Sequence, residues 1–441
     1  MRFISACLFL IVSSNLFGQV CQLSAPPVLG HIDFREANIW VSTTDPCTVD
    51  IIYWNVLFPE TKLRARGAVD NKEYLCTIIP VVNLEPGTTY EYQVKVKGIT
   101  AEEVYPKGNE HFFFTTETLW QYRTDPPNFK IAVGSCAFLN EPKYDRPGKG
   151  YGNSYTIFDT IASKRPELMI WLGDNVYFRE VDFESKSSMI RRYYQARQLP
   201  ELSKLWTTCA HYAIWDDHDF GPNDSNGSYV HKDWTQDIFK HFWPNPSFGG
   251  PATGEGITTH FGYNDVEFFM LDNRYHRGLS DAEGVEKTIL GQEQLNWLIE
   301  ALKTSKAKFK LVAMGGQFLN TEAKFENYST FPEERDEIIR LIEVNNIKGV
   351  VFLTGDRHCT ELSKLELKNG NVIYDLTASP LTSGAYNNSK ENNTLRVEGT
   401  IVDTQNFALL NFSGPLKERL MQIEIYDSEG KLRWTHNITS N

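Results

Sequence analysis

Short apolar runs that alternate with helix-patterned stretches organise the larger part of the chain. Apolar runs of three to seven residues predict buried strands, and apolar residues spaced three or four apart predict helices. Beyond residue 128 the predicted strands are 129–133, 168–172, 212–214, 266–271, 310–314, 350–353, 372–376, 407–412 and 420–426, and the predicted helices are 155–163, 187–197, 291–304 and 333–344. Strands alternating with helices predict an α/β layered domain, which we bound at residues 128–425.

A different pattern precedes this domain. Residues 25–116 predict a small all-β unit with strands at 39–42, 49–55, 73–79, 90–96 and 111–115. Pro86-Gly87 followed by alternating tyrosines up to Tyr92 is typical of the tyrosine corner of a β-sandwich. This unit resembles a fibronectin type III or immunoglobulin-like module. Asp125-Pro126-Pro127 marks the linker to the α/β domain.

The first 18 residues have the pattern of a signal peptide. Arg2 is followed by an apolar stretch, Phe3–Val12, that is too short to span a bilayer. No later segment is apolar enough to cross a membrane, so the sequence predicts an exported protein, periplasmic or secreted, with no transmembrane segment. Export permits disulfide bonds. Cys47 and Cys76 are the favoured pair, with Cys21 as a competitor for either.

Charge narrows the class of partner. The 441-residue chain carries a formal net charge of -12, which argues against nucleic acid as a general partner because backbone binding needs a basic surface. An acidic surface also repels anionic substrates unless bound cations reverse the local field. We expect a monomer that acts on a small substrate.

Four short motifs follow predicted strands. They are Gly134-Ser135-Cys136, Gly173–Tyr177, Trp215–Asp219 and Thr354–His358. Because open α/β sheets place their chemistry at the carboxyl ends of the strands, these motifs are expected to converge. A thiolate, carboxylates, a phenolate and an imidazole brought together favour a metal site with more than one ion.

In this order the motifs resemble the alkaline phosphatase D family of the calcineurin-like metallophosphoesterase superfamily. The resemblance implies a β-sandwich flanked by helices, preceded by the small β-sandwich. It also implies Fe(III) at a first site and Ca(II), or Mg, Mn or Zn, at a second, oxygen-rich site. The metal ligands implied are Cys136, Asp174, Tyr177, Asp217, Asp356 and His358, with Asp174 as the bridge.

Five other residues are candidates beside the ligands. His218 is expected to face the substrate as a catalytic residue that stabilises phosphate or protonates the leaving oxygen. Arg274 is expected either to grip phosphate or to pair with Asp272. Three residues form a further tier of candidates: Asp216, Asn223 and Gln317. Trp243, in a loop-rich insertion, is expected to shape the mouth of the site.

These residues predict a phosphoric ester hydrolase of the alkaline phosphatase D type. It is expected to hydrolyse phosphomonoesters, phosphodiesters or both by a metal-bound hydroxide at a dinuclear or larger metal site. One alternative is a phospholipase or a phosphodiesterase of cell-wall polymer. A second alternative, from a different class, is a non-catalytic binding protein on the same fold. The sequence leaves the natural substrate open.

Overall fold

The computed structural model of the chain describes residues 21–97, 103–104, 111–249 and 254–440, and the predicted signal segment lies outside these residues. The N-terminal domain is a sandwich of two antiparallel sheets. One sheet has the order β1-β2-β5; in the other, β4, β3 and β6 are adjacent and both β7 and β8 pair with β6. Its strands are β1 (Val28–Ile32), β2 (Glu36–Ser42), β3 (Cys47–Asn55), β4 (Leu63–Val69), β5 (Cys76–Val82), β6 (Thr89–Lys97), β7 (Glu103–Val104) and β8 (Phe112–Thr115).

Strand β6 shows why this region folds as a sandwich. Its buried and half-buried residues alternate along the strand, so one face covers the core. The hydroxyl of Tyr90 accepts a hydrogen bond from the backbone N–H of Glu85 at 2.9 Å, closing the loop before the strand. This contact is the tyrosine corner that the sequence predicts.

The disulfide differs from the favoured pair. Cys21 is bonded to Cys47, whereas Cys76 is a buried free thiol. The reason is topological, because Cys47 begins β3 in one sheet and Cys76 begins β5 in the other. Cys21 lies beside the turn before β3, where its neighbour Leu23 forms a β-bridge with Thr43. The disulfide therefore fixes the start of the domain to the first residue of β3.

The second domain contains two six-stranded sheets with orders β11-β10-β9-β18-β19-β20 and β12-β13-β14-β15-β17-β16. Its strands are β9 (Phe129–Gly134), β10 (Leu168–Leu172), β11 (Ala210–Ile214), β12 (Thr259–Tyr263), β13 (Val266–Met270), β14 (Phe309–Ala313), β15 (Val350–Thr354), β16 (Glu361–Glu366), β17 (Val372–Thr377), β18 (Asn406–Ser413), β19 (Leu420–Asp427) and β20 (Leu432–Thr439). Its helices are α1 (Thr156–Lys164), α2 (Lys186–Gln198), α3 (Pro200–Trp206), α4 (Asp217–Phe220), α5 (Lys232–Phe242), α6 (Gln292–Thr304) and α7 (Pro332–Val344).

The parallel strands of the two sheets bring the four motifs together. Strands β9, β10 and β11 run parallel in one sheet, and β15 runs parallel to its neighbours in the other. All residues of β10, β11 and β15 are buried, as expected for strands covered on both faces. The strand tips meet at Gly355, where a Cβ would lie 2.7 Å from the Ser135 side chain. The site thus forms where the two sheets converge.

Trp243 belongs to the core, which corrects the expectation that it shapes the mouth of the site. Its ring is buried and lies 5.8 Å from the ring of Trp171 and 6.0 Å from that of Trp206. The guanidinium of Arg197, also buried, stacks 4.3 Å from Trp243 and 4.2 Å from Trp206. The aromatic rings stabilise this cation.

The two domains are joined by hydrogen bonds as well as by the linker. The indole of Trp40 donates to the carbonyl of His241 at 2.9 Å, and the N–H of His31 donates to the carbonyl of Pro244 at 3.0 Å. A Cβ on Gly30 would lie 2.4 Å from Pro244, so the backbones approach closely there. Within the described residues, no helix has the length and apolar character needed to traverse a bilayer.

Glu117 makes this interface sensitive to pH. It accepts a hydrogen bond from the N–H of Asn264 at 2.5 Å, and burial raises its pKa to about 7. The folded state therefore binds a proton that the unfolded state releases at lower pH, so the free energy of unfolding falls as pH rises from about 4.5 to 7. We expect Glu117→Gln to be more stable than the wild type at pH 8, by ~2 kcal/mol, and closely similar at pH 4.5. Urea unfolding at both pH values measures the difference, and an equal difference at both would contradict it.

Candidate metal centre and active site

Four of the candidate ligands occupy an uncommon backbone conformation. Cys136, Asp174, Asp356 and His358 have φ values of 61°, 52°, 65° and 51°, in the left-handed region that L-residues seldom adopt. Each stands directly after a strand or within four residues of its end. Strain of this kind persists where the surrounding structure enforces it, and it is concentrated at functional sites.

The first group of donors gathers around Asp174. Ligand atoms of Cys136, Asp174 and His358 all lie within 4.8 Å of one another. The Tyr177 hydroxyl is 3.0 Å from Asp174 Oδ2 and 3.5 Å from His358 Nε2. The structure thus brings together a thiol, a carboxylate, an imidazole and a phenol, as the sequence predicts.

A second group shares the same carboxylate. Ligand atoms of Asp174, Asp217 and His218 also lie within 4.8 Å of one another. Asp217 belongs to a further acidic group with Asp224 and Glu326. Asp174 is therefore the member common to the two groups.

Buried acids dominate the electrostatics of the site. Burial, together with Asp217, Asp216 and other nearby carboxylates, raises the pKa of Asp174 well above its usual value. Burial and the charges of Asp216 and Asp217 do the same for Asp356, the candidate at the tip of β15. Burial also raises the pKa of Cys136 and of Tyr177 and lowers that of His358 to about 4. This set of groups is costly to ionise without added positive charge.

The donor set fits cations. Oδ1 of Asp217 is buried and accepts no hydrogen bond from any described residue. Burial acts to raise the pKa of Asp217, but His218 and Arg274 outweigh it and lower the pKa to about 2, so this carboxylate is an anion. A free carboxylate oxygen beside a phenol and a thiol matches the preferences of hard and borderline metal ions.

Asp216 and Asp219 shape the loops rather than face the cavity. Asp219 accepts hydrogen bonds from the N–H groups of Asn175, Val176 and Asp216, and burial raises its pKa to about 8. Asp216 accepts from the amide of Asn273 at 2.7 Å. A Cβ on Gly315 would lie 2.3 Å from Cγ of Asp216, so this glycine permits the backbone to approach.

Arg274 does not reach the cavity, and its expected partner Asp272 is not its ion pair. Its guanidinium is buried, donates to both carboxylate oxygens of Glu326 at 2.8 Å, and donates through Nε to Asp216 at 2.6 Å. Asp272 instead accepts from the backbone N–H of Arg274 and from the indole of Trp215. Arg274 therefore fixes the carboxylates of Asp216 and Glu326 next to Asp217 of the second group.

Gln317 is likewise engaged elsewhere. Its amide nitrogen donates to Glu361 and Thr377, and its oxygen accepts from Arg357 and Asn320. These four bonds use its two N–H groups and both oxygen lone pairs. The structure does not bring Gln317 to the metal groups, because this network fixes it between Glu361, at the start of β16, and Thr377, at the end of β17.

His218 and Asn223 lie on a cavity of about 370 Å³ that opens beside the metal groups. The backbone N–H of His218 donates to Asp174 at 3.3 Å, and its ring lies 4.3 Å from the ring of Tyr177. About a quarter of its side chain, 24%, is exposed. His218, like Tyr177, thus reaches both the buried acids and the open cavity.

Two family comparisons cover nearly the whole chain. The family described as PhoD-like phosphatase matches residues 131–417. The chain belongs to the PhoD-like phosphatase family. This membership confirms the predicted phosphoric ester hydrolase. A second family, described as a domain of unknown function (DUF7800), matches residues 21–117.

Individual proteins that are similar to this PhoD-like chain are also phosphatases. It is 25% identical to alkaline phosphatase D of Bacillus subtilis (strain 168), over 85% of this chain and 73% of that protein. A solved structure of PhoD has a TM-score of 0.74 at 16% identity and covers 95% of this chain and 92% of its own. Purple acid phosphatase PPD1 from yellow lupin (Lupinus luteus) seeds has a TM-score of 0.70 at 10% identity, with 94% and 74% covered. The last two similarities concern the fold.

Residues that the sequence did not single out complete the PhoD-like site. The hydroxyl of Tyr151 is 2.9 Å from Nδ1 of His358, leaving Nε2 directed toward Tyr177. The hydroxyl of Ser379 donates to Cys136 Sγ at 3.2 Å and accepts from the N–H of His358 at 3.0 Å. Ser379 lies two residues after the end of β17. Tyr151 carried no sequence signal, because it lies in a loop distant from the motifs.

Proposed function

We propose that this chain is an exported, metal-dependent phosphoesterase that hydrolyses phosphomonoesters, phosphodiesters or both. The observation that carries the proposal is Asp174, which belongs to two overlapping groups of ligand atoms within 4.8 Å. Bound cations would supply Lewis acidity and offset the negative charge of the phosphate. Export is supported by the signal pattern of residues 1–18 and by the Cys21–Cys47 disulfide, a bond typical of oxidising compartments.

The chain's own residues supply positioning and proton transfer. We assign His218 the delivery of a proton to the leaving oxygen, since it lies between the acids and the cavity. Exposed Asn223 would contact the phosphate through its amide. Asp219 fixes the loop of Asp174 through two backbone hydrogen bonds, and Arg274 holds Asp216 beside Asp217.

The test compares metal content with hydrolysis. Purified protein, analysed for bound metals, is assayed with p-nitrophenyl phosphate and bis-p-nitrophenyl phosphate, before and after chelation. We expect hydrolysis of at least one ester, loss of activity on chelation and recovery when metals return. Metal-bound protein without activity on a broad panel of phosphate esters would favour the binding-protein alternative.

We propose Fe(III) for the group that contains Cys136 and Tyr177. A phenolate is a hard donor that favours a trivalent ion. The hydroxyl of Tyr177, which would supply it, lies 3.0 Å from the shared Asp174. Iron held by a phenolate absorbs visible light, so we expect coloured protein whose absorption band shifts or disappears in Tyr177→Phe. Phe178→Leu, an adjacent buried aromatic without a donor atom, is the control. A colourless, active protein that contains zinc alone would contradict the assignment.

We propose Ca(II), or another hard cation, for the second group, which contains Asp174, Asp217 and His218. Its donors are carboxylates from Asp174 and Asp217, with Asp356 at the adjoining strand tip, and irregular oxygen-rich shells suit Ca(II). A calcium-selective chelator is expected to lower the activity, and calcium is expected to restore it better than zinc. Full activity with zinc after removal of calcium would contradict the assignment of a hard cation to the second group.

A further inference from the structure

The cavity beside His218 is much larger than a phosphate group requires. Its volume of about 370 Å³ falls in the range of pockets that enclose whole small organic ligands. It is bounded by the segment Tyr144–Tyr151 on one side and by Phe183 and Asn223 on another. Space for the organic part of the ester therefore exists next to the proposed reacting centre.

One wall of the cavity is aromatic and open. Tyr386 is 53% exposed, although one face of its ring stacks on His358 at 5.3 Å with planes 3° apart. Tyr151 is 36% exposed, its hydroxyl lies 3.3 Å from that of Tyr386, and the ring of Phe138 packs 5.0 Å from its ring. Aromatic side chains exposed beside a polar centre offer a stacking surface for a planar ring.

The rim of the cavity carries two exposed cations, Arg146 and Lys149, beside one exposed acid, Glu180. Lys149 is exposed and makes no ion pair within the described part of the chain. Arg146 has a side chain that is 90% exposed, and its contact with Glu180, at 3.6 Å, is a solvent-exposed pair that contributes little. In a chain of net charge -12, these two cations beside the site favour a second anionic group on the ligand.

We propose that the cavity is a subsite for a nucleotide that carries two phosphate groups, with the base on the wall formed by Tyr151 and Tyr386 and the second phosphate at Lys149 and Arg146. The proposal rests on the proposed phosphoesterase function. In the reaction, water supplies the new P–O bond and the ester P–O bond breaks. The leaving oxygen takes a proton, and the products are inorganic phosphate and a nucleoside monophosphate. A small nucleotide, unlike a nucleic acid, does not require a broad basic surface.

Four substrates separate the two recognition elements. Adenosine 3′,5′-bisphosphate has a base and a second anion, adenosine 5′-monophosphate has the base alone, fructose 1,6-bisphosphate has the second anion alone, and glycerol 2-phosphate has neither. We expect the base to raise kcat/KM about tenfold through stacking. The second anion is expected to raise it about fivefold, as one exposed charge pair does.

Two variants test the assignment through ratios of kcat/KM. Tyr386→Leu should bring the ratio between adenosine 5′-monophosphate and glycerol 2-phosphate close to one. Lys149→Gln should lower the ratio between the bisphosphate and the monophosphate of adenosine, with Arg146 alone remaining at the second phosphate. Lys143→Gln is the matched control, since this lysine of the same loop stacks over Tyr144 and does not line the cavity. Its ratios should equal those of the wild type.

The outcomes separate the subsite from the activity. Equal kcat/KM for all four substrates, or ratios unaffected by both variants, would overturn the subsite and leave the phosphoesterase standing. If none of the esters is hydrolysed by metal-loaded protein, the activity fails, and calorimetric titration with adenosine 3′,5′-bisphosphate then decides the subsite. Binding that both variants weaken supports it, and binding that neither weakens refutes it.

Discussion

Asp174→Asn is expected to lower kcat/KM for phosphate esters by more than about a thousandfold. Loss of a residue that only orients a metal ligand typically costs 10–100-fold, and Asp174 is shared by both groups of donors. The amide keeps the size of the side chain but removes the charge that two cations would share. Steady-state kinetics and metal analysis of the same preparation measure both consequences, and we expect less than the full complement of metal.

Stability distinguishes loss of the site from loss of the fold. In metal-free protein, Asp174→Asn removes one of several buried acids that repel each other, so its free energy of unfolding should equal or exceed that of the wild type. Added metal should stabilise the wild type more than the variant, because binding to the folded state is linked to stability.

The control is Asp265→Asn, which alters another buried aspartate, one that pairs with Arg419 at the domain linker. This variant should lose stability and keep its response to metal. If Asp174→Asn retained the metal content and activity of the wild type, the bridging role would be wrong.

The strands of the second domain could be predicted because their apolar runs are uninterrupted. Strand β10 coincides with its predicted run, and β15 differs from its own by one residue. Six strands of the two domains were missed: β1, β4, β7, β12, β16 and β20. Three of them, β4, β12 and β20, alternate exposed residues with more buried ones and have charged or polar exposed faces. Helix α5, with its apolar face toward the core, was hidden inside a segment rich in loop residues.

The metal groups could be predicted because strand order determines where strand ends meet. Cys136, Asp174 and His358 come from both sheets, and a motif after each strand was sufficient to expect their convergence. Arg274 and Gln317 were less predictable, since the partners that engage them lie far away in sequence. Glu326 holds Arg274 from 52 residues away, and Glu361 holds Gln317 from 44. Pairings of this kind depend on the packing of loops rather than on a local pattern.

His218→Ala is expected to lower kcat by roughly 10²–10⁴-fold while both metals remain bound. The imidazole Nε2 lies 3.9 Å from Asp217 and the side chain borders the cavity, which suits a proton donor to the leaving oxygen. The loss should depend on the leaving group. Alkyl phosphates need protonation as they depart and should lose the most, whereas p-nitrophenyl phosphate, whose phenolate leaves unprotonated, should lose much less.

This dependence separates a proton donor from two other roles that the position permits. If His218 only bound phosphate, all esters would lose activity by the same factor, and KM would rise. If it were a ligand, metal content would fall with activity, since it belongs to the group of Asp174 and Asp217. His260→Ala removes an exposed histidine of β12 that pairs with Glu267. It should leave the leaving-group dependence of kcat, the KM and the metal content unchanged. Retained metal together with a loss that grows with the basicity of the leaving group would assign the proton to His218.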